Sequence, residues 1–292
     1  MRTTSLAVAF ALISAVACGS SPSTGPGNTS TGTGGTGGTG GTGGQVDTAG
    51  VGDGTTTATT DFVDKTLFVG GATYKYKVFV PANYNTATTV PVILALHSLS
   101  DRGSDNLVQT QMGVGRVVRA APATFPAIVV FPQGPVGETI QSREVYVDIS
   151  QLALALTLAA YKKSDLARVY LTGFSWGGIA AFEVAYFNPT KFAAFLPIAA
   201  NLCAPCITGS GTTTTAQASA LVAAKLKPLP TWQFQGELDT NVPPAEVRQI
   251  RDAFVAVNAS YTYTELKGLD HAIWDGVYAR PDVWAWLWAQ HR

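Results

Sequence analysis

The sequence predicts an α/β domain with a mostly parallel sheet and helices on both of its faces. Three observations lead there. Several apolar runs are continuous, as strands buried on both faces require. Segments with apolar residues at helical spacing fall between those runs, which is the alternation of an α/β chain. Of the 292 residues, about 230 follow a Gly- and Thr-rich N-terminal stretch, a usual size for one such domain.

The elements follow in order. "TLFVGGATYKYKVFVPANY" alternates on either side of Gly70-Gly71, the pattern of a hairpin. "PVILALHS" is a continuous apolar run between Pro91 and a polar turn, and "FPAIVVFPQG" is a second such run. "YVDISQLALALTLAAYKK" carries apolar residues at helical spacing and ends on lysines, so it reads as a helix. Then come "RVYLTGF" (strand), "WGGIAAFEVAYFNP" (helix), "FAAFLPIAA" (strand) and "LPTWQFQGE" (strand). "PAEVRQIRDAFVAVN" (helix), "YTYTELKG" (strand) and "PDVWAWLWAQHR" (helix) complete the chain. Sites in such sheets gather beyond the C-terminal ends of strands. Four loops fall there, after Leu96, Phe174, Gln235 and Lys267.

The N-terminus stands apart from this pattern. "MRTTSLAVAFALISAVAC" has an early Arg2, an apolar run and small residues up to Cys18, so residues 1–17 read as a signal peptide. Residues 18–60 repeat Thr-Gly-Gly and have too few apolar side chains to offset their chain entropy. A tether of that length reaches about 35 Å. Residues 61–292 make the expected folded domain. Net charge is zero and only 13% of residues are charged, with no basic run. Nucleic acid is therefore excluded as an expected partner. Cys203 and Cys206 lie in "NLCAPCI". A thioredoxin-like motif should open a helix directly after a strand. Here the pair falls in what reads as a Gly- and Thr-rich loop, so a local disulfide in an oxidising compartment is the first expectation, ahead of two free thiols.

"GFSWG" holds the chemistry. Gly173, Ser175 and Gly177 fit G-x-S-x-G between a strand and a helix, where a sharp turn leaves no room for neighbouring Cβ atoms and exposes a nucleophile. On that scaffold an acid and then a histidine should follow the serine. Of the three histidines, His97 precedes Ser175 and His291 is penultimate, which leaves His271. Asp239 precedes His271 by 32 residues, enough for one helix and one strand. Glu237 and Asp270 are its rivals, and a plain turn with Asn241 and Pro243 is the bland alternative. The backbone N–H of Trp176 is the first expected oxyanion donor. The second is that of Leu99, with Ser98 as rival. Phe174 and Trp274 are candidates for a substrate pocket, with packing as the plainer alternative. Trp284 and Trp288 share a helix face and read as core.

Together these segments resemble the α/β-hydrolase superfamily, in its secreted esterase and "predicted peptidase" branch. That branch includes feruloyl, acetyl-xylan and polyhydroxyalkanoate esterases. The resemblance runs from about residue 64 to 292. It implies a Ser175–Asp239–His271 triad that hydrolyses esters through an acyl-enzyme, without cofactor or metal. "AVAC" resembles a bacterial lipobox, which implies a lipid anchor on Cys18 and, with no acidic residue in "GSSPS", the outer membrane. Two positions depart from the family pattern. His97-Ser98-Leu99-Ser100 stands in place of His-Gly-x-Gly, and Gln235-Gly236 in place of His-Gly. The expected function is a carboxylic ester hydrolase acting on a small or polymeric ester, as a monomer in the cell envelope. A serine peptidase and a non-catalytic binding protein on the same fold are the alternatives.

Overall fold

The structure, a computed structural model, describes residues 62–137 and 139–292. The signal peptide, Cys18 and the linker lie outside the described residues.

Eight strands form one sheet in the order β1-β2-β4-β3-β5-β6-β7-β8. The hairpin is β1 (Phe62–Val69) and β2 (Ala72–Phe79), antiparallel about Gly70-Gly71. β2 runs antiparallel to β4 (Ile128–Pro132). From there every pairing is parallel, through β3 (Val90–Leu96), β5 (Ser164–Phe174), β6 (Ala194–Ile198), β7 (Thr231–Gly236) and β8 (Tyr261–Leu266). The continuous apolar runs are explained by two cores. Val92, Leu94 and Leu96 of β3 enter one core and Ile93 and Ala95 enter the other. Val169 and Leu171 divide from Tyr170 in the same way on β5. The pleat sends alternate side chains to opposite faces, so a strand covered on both must be apolar throughout.

The first core is capped by α2 (Ile140–Ala160), α3 (Trp176–Phe187), α5 (Thr215–Leu226) and α6 (Pro244–Ala256). The second lies under α1 (Val114–Ala120), α7 (Trp274–Tyr278) and α8 (Pro281–Trp288). On α8, Trp284 and Trp288 stack on one another and meet Phe125 edge-on, which is core packing. Among the described residues no helix is long and apolar enough to cross a membrane.

The sequence pattern marks neither α1 nor α7, and two further segments of the fold depart from it. α2 starts six residues before "YVDIS", because Thr139 caps it by accepting the Ser142 N–H at 3.1 Å. The Gly- and Thr-rich stretch near residue 210 is followed by a helix, α5, opened by Thr214 and Gln217. Each of their side chains accepts the other's backbone N–H. That reciprocal pair is a capping box, a signal present in "TTAQ".

Candidate active site

The β5–α3 turn holds Ser175 at φ 53° and ψ −128°. A non-glycine residue there is strained by its own Cβ, and such strain persists only where the surroundings impose it. The surroundings are visible. Ser175 N–H donates to Ile198 O at 2.9 Å, tying the turn to β6. A Cβ on Gly173 would lie 2.4 Å from Gly177 O, and one on Gly177 would lie 2.2 Å from His97 O. Glycine is needed at both because backbone approaches backbone.

The result is a hydrogen-bonded relay. Ser175 Oγ lies 2.8 Å from His271 Nε2, and His271 Nδ1 lies 2.8 Å from Asp239 Oδ2. A carboxylate only accepts, so Nδ1 carries the imidazole proton and Nε2 is free to accept from Ser175. Asp239 is fully sheltered at its side chain and His271 nearly so. Oδ1 of Asp239 accepts the N–H groups of Asn241 at 2.9 Å and Val242 at 2.8 Å. The Asx turn and the relay therefore coexist, each using one oxygen.

The rival acids have other work. Glu237 accepts from Gly268 N–H at 2.8 Å. Asp270 accepts from Thr240 N–H at 3.1 Å and His271 N–H at 2.7 Å, joining the two loops without meeting the imidazole. Gln235, two residues before Glu237, points its Nε2 at Asp239 Oδ2 at 2.9 Å and at Val242 O at 2.9 Å. In the sequence it is marked only as a departure from His-Gly. Of the remaining histidines, His291 is exposed at the chain end. His97 is buried in the loop after β3.

Trp176 and Leu99 begin α3 and a 3-10 turn (Leu99–Asp101) respectively. First-turn N–H groups have no acceptor within their own helix. Ser98, the rival donor, has its N–H engaged by Asp101 Oδ2 at 3.1 Å. His97 Nε2 accepts from Gly134 N–H at 2.8 Å, so Nδ1 is the donor toward Ser98 O at 2.7 Å. Burial, aided by the nearby Arg102 charge, pushes the His97 pKa down to about 4, against the opposing bond to Ser98. This imidazole is neutral at neutral pH.

The aromatic residues are more deeply set than a pocket lining requires. Phe174 and Trp274 stack at 4.8 Å and are nearly buried, with Trp274 meeting His271 edge-on at 5.5 Å. They form a wall behind the imidazole. Trp176 stacks on Tyr146, whose hydroxyl accepts the His97 N–H at 2.8 Å.

Cys203 and Cys206 are bonded to one another at 2.05 Å. They open a short helix, α4 (Ala204–Thr208), with Cys203 as its N-cap. The expected loop is thus a helix start, because Pro205 is favourable in a first turn. Arg143 bonds to both sulfurs and to Glu183 Oε1 at 2.7 Å. Burial raises the Glu183 pKa to about 7 despite Arg143. Glu183 and the two sulfurs have metal-ligand types at close range. Sulfurs bonded to each other supply no thiolate, so the group does not fit a metal.

Residues 70–290 match the family model described as "Putative esterase". The chain belongs to this esterase family. No curated protein matches it. Among solved structures it is similar to a thermostable esterase, with TM-score 0.65 and 24% identity over 80% of this chain and 63% of that one. This member of the esterase family thus spans less than two thirds of that relative's length. It is also similar to a CE1 ferulic acid esterase from Anaeromyces mucronatus crystallised with ferulic acid, with TM-score 0.55 and 17% identity over 75% of this chain and 87% of that one. A third is a Bacteroides ovatus protein described as a "putative dipeptidyl aminopeptidase IV", with TM-score 0.60 and 13% identity over 79% of this chain and 36% of that one. At these identities the likenesses show the fold, which is the α/β-hydrolase fold.

Proposed function

We propose that this esterase-family chain is a carboxylic ester hydrolase in which Ser175 is the nucleophile. One observation carries the reading: a strained serine hydrogen-bonded at 2.8 Å to an imidazole that is itself bonded at 2.8 Å to a buried carboxylate. His271 takes the Ser175 proton as Oγ attacks the ester carbon. The tetrahedral oxyanion is held by the N–H groups of Trp176 and Leu99. Collapse expels the alcohol, which receives the proton from His271. Water, activated by the same imidazole, then hydrolyses the acyl-enzyme. Asp239 keeps His271 in the useful tautomer and steadies its cation.

A peptidase is the second reading, favoured by the likeness to the protein described as a "putative dipeptidyl aminopeptidase IV". We also propose, from the N-terminal sequence, that the protein is exported and anchored to a membrane through Cys18.

The test is hydrolysis by the full-length protein beside its Ser175→Ala variant. The substrates are p-nitrophenyl esters from acetyl to long acyl, a feruloyl ester and a peptide anilide. The variant should lose on the order of 10,000-fold or more in kcat. Equal ester hydrolysis by both proteins would remove Ser175 as nucleophile. Cleavage of the anilide alone would move the assignment to a peptidase.

A further inference from the structure

We propose that Asp101 is a positioning residue for the oxyanion hole, replacing with side-chain hydrogen bonds the role that glycine plays in related loops. The inference rests on the function proposed above.

The loop from His97 to Ser100 has no glycine, and none of its residues has a positive φ. Ser98 sits at φ −79° and ψ 177°. The Asp101 carboxylate braces this backbone through the side chains and N–H it meets. Its Oδ2 accepts the Ser98 N–H at 3.1 Å and the Ser98 hydroxyl at 3.0 Å. Its Oδ1 accepts the Ser100 hydroxyl at 3.2 Å, and the two hydroxyls lie 2.8 Å apart. The Asp101 N–H donates to Ser98 O at 3.2 Å, and His97 Nδ1 reaches the same oxygen at 2.7 Å.

The last two contacts, from the Asp101 main chain and the His97 ring, hold the Ser98 carbonyl, and the carboxylate bonds to Ser98 and Ser100 brace the turn in which they form. Ser98 O and Leu99 N–H belong to one planar trans peptide, so they point in opposite directions. Holding the carbonyl toward His97 and Asp101 turns the Leu99 N–H the other way. On the next peptide, Arg102 Nε takes Leu99 O at 2.6 Å. The loop presses on the start of α3, where a Cβ on Gly177 would meet His97 O and Leu96 O. Asp101 also engages the Ser98 N–H, which removes the competing donor. Asp101 is buried, and burial raises its pKa against the pull of the Ser98 bonds. Its bonds to Ser98 and Ser100 offset the desolvation of the buried carboxyl, so the loop and the carboxyl hold one another in place.

The test compares matched p-nitrophenyl oxo-esters and thiono-esters on the full-length protein. Sulfur is a poor hydrogen-bond acceptor, so only the oxo-ester draws on the oxyanion donors. Rates are counted per Ser175 that a phosphonate probe can label, which excludes unfolded molecules. Removing one oxyanion donor costs about 100- to 1,000-fold in kcat. Asp101→Ala only releases such a donor, so its oxo-ester kcat should fall by about 10- to 100-fold with KM little changed. Its thiono-ester rate should move far less. Asp101→Asn keeps an oxygen for Ser98 and should restore most of the oxo-ester rate. Ser98→Ala should shift the ratio the same way by a few-fold, and it carries the test if Asp101→Ala does not fold. Unchanged oxo-ester kcat, or equal losses on both esters, overturns the proposal. If Ser175→Ala is inactive while the Asp101 series keeps the wild-type ratio, Asp101 alone loses its role. If Ser175→Ala stays active, the reading of the whole site falls first.

Discussion

The two loops that meet at the start of α3 are built by opposite means. The Ser175 turn is held by what is missing: Gly173 and Gly177 lack the Cβ atoms that would collide with backbone at 2.4 and 2.2 Å. The loop from His97 to Asp101 is held by what is present, namely two hydroxyls, a carboxylate and an imidazole. Backbone crowding is steep with distance and tolerates no larger residue. A hydrogen-bonded loop can be weakened in steps. The first region should therefore fail as a fold, and the second should fail as a catalyst while remaining folded.

The largest break is Gly177→Ala. Its methyl would fall on two backbone oxygens that side-chain motion cannot clear. Destabilisation should reach about 4 kcal/mol, the upper range for a point change, and hydrolysis should go with it. Gly211→Ala meets nothing within 4 Å and is the control. Thermal melts of both proteins decide this. A Gly177→Ala melt that matches the control would remove the steric half of the comparison.

Acid should strain the second loop next. The His97 pKa is about 4 in the fold, while an unperturbed histidine titrates near 6.5. Between those values the unfolded chain binds a proton that the folded chain does not. Stability from this group is therefore whole above about pH 6.5 and falls as pH drops toward 4, by up to about 3 kcal/mol. Glu183 and Asp101, with raised pKa values, act in the opposite direction. The difference between wild type and His97→Gln in denaturant melts isolates the His97 contribution. A gap that stays constant from pH 7 to 4 would contradict it.

The smallest effect should come from α4, which touches neither loop's hydrogen bonds. Replacing Cys203 and Cys206 together by serine opens a very short loop, worth about 2 kcal/mol in the chain-entropy account. Ester kcat should stay within about two-fold, since no relay contact is lost. A large fall in kcat at unchanged stability would tie α4 to the site.

This contrast also explains what could be read early. Ser175 and its glycines were legible because a steric requirement leaves a residue type behind. His271 followed by elimination, and Asp239 by an interval that suits one helix and one strand. Asp101 left the S-x-x-D trace of a capping box, which is too common to mark a site. Gln235 stood out only as a departure from His-Gly, and its role was not legible there, because it depends on meeting Asp239 Oδ2 and Val242 O across a turn. α5 was hidden by the Thr-rich run before it, although "TTAQ" was there to be used.

By itself, the sequence determined the parallel α/β architecture, the strained turn at Ser175 and the short set of residues able to join it. Periodicity and glycine placement act locally, and local physics is written residue by residue. Only the tertiary structure decided which acid faces His271, that Asp101 takes the Ser98 N–H, and that Cys203 starts a helix. Each of these depends on side chains from separate elements arriving within hydrogen-bonding distance, and that distance is set by packing across the sheet.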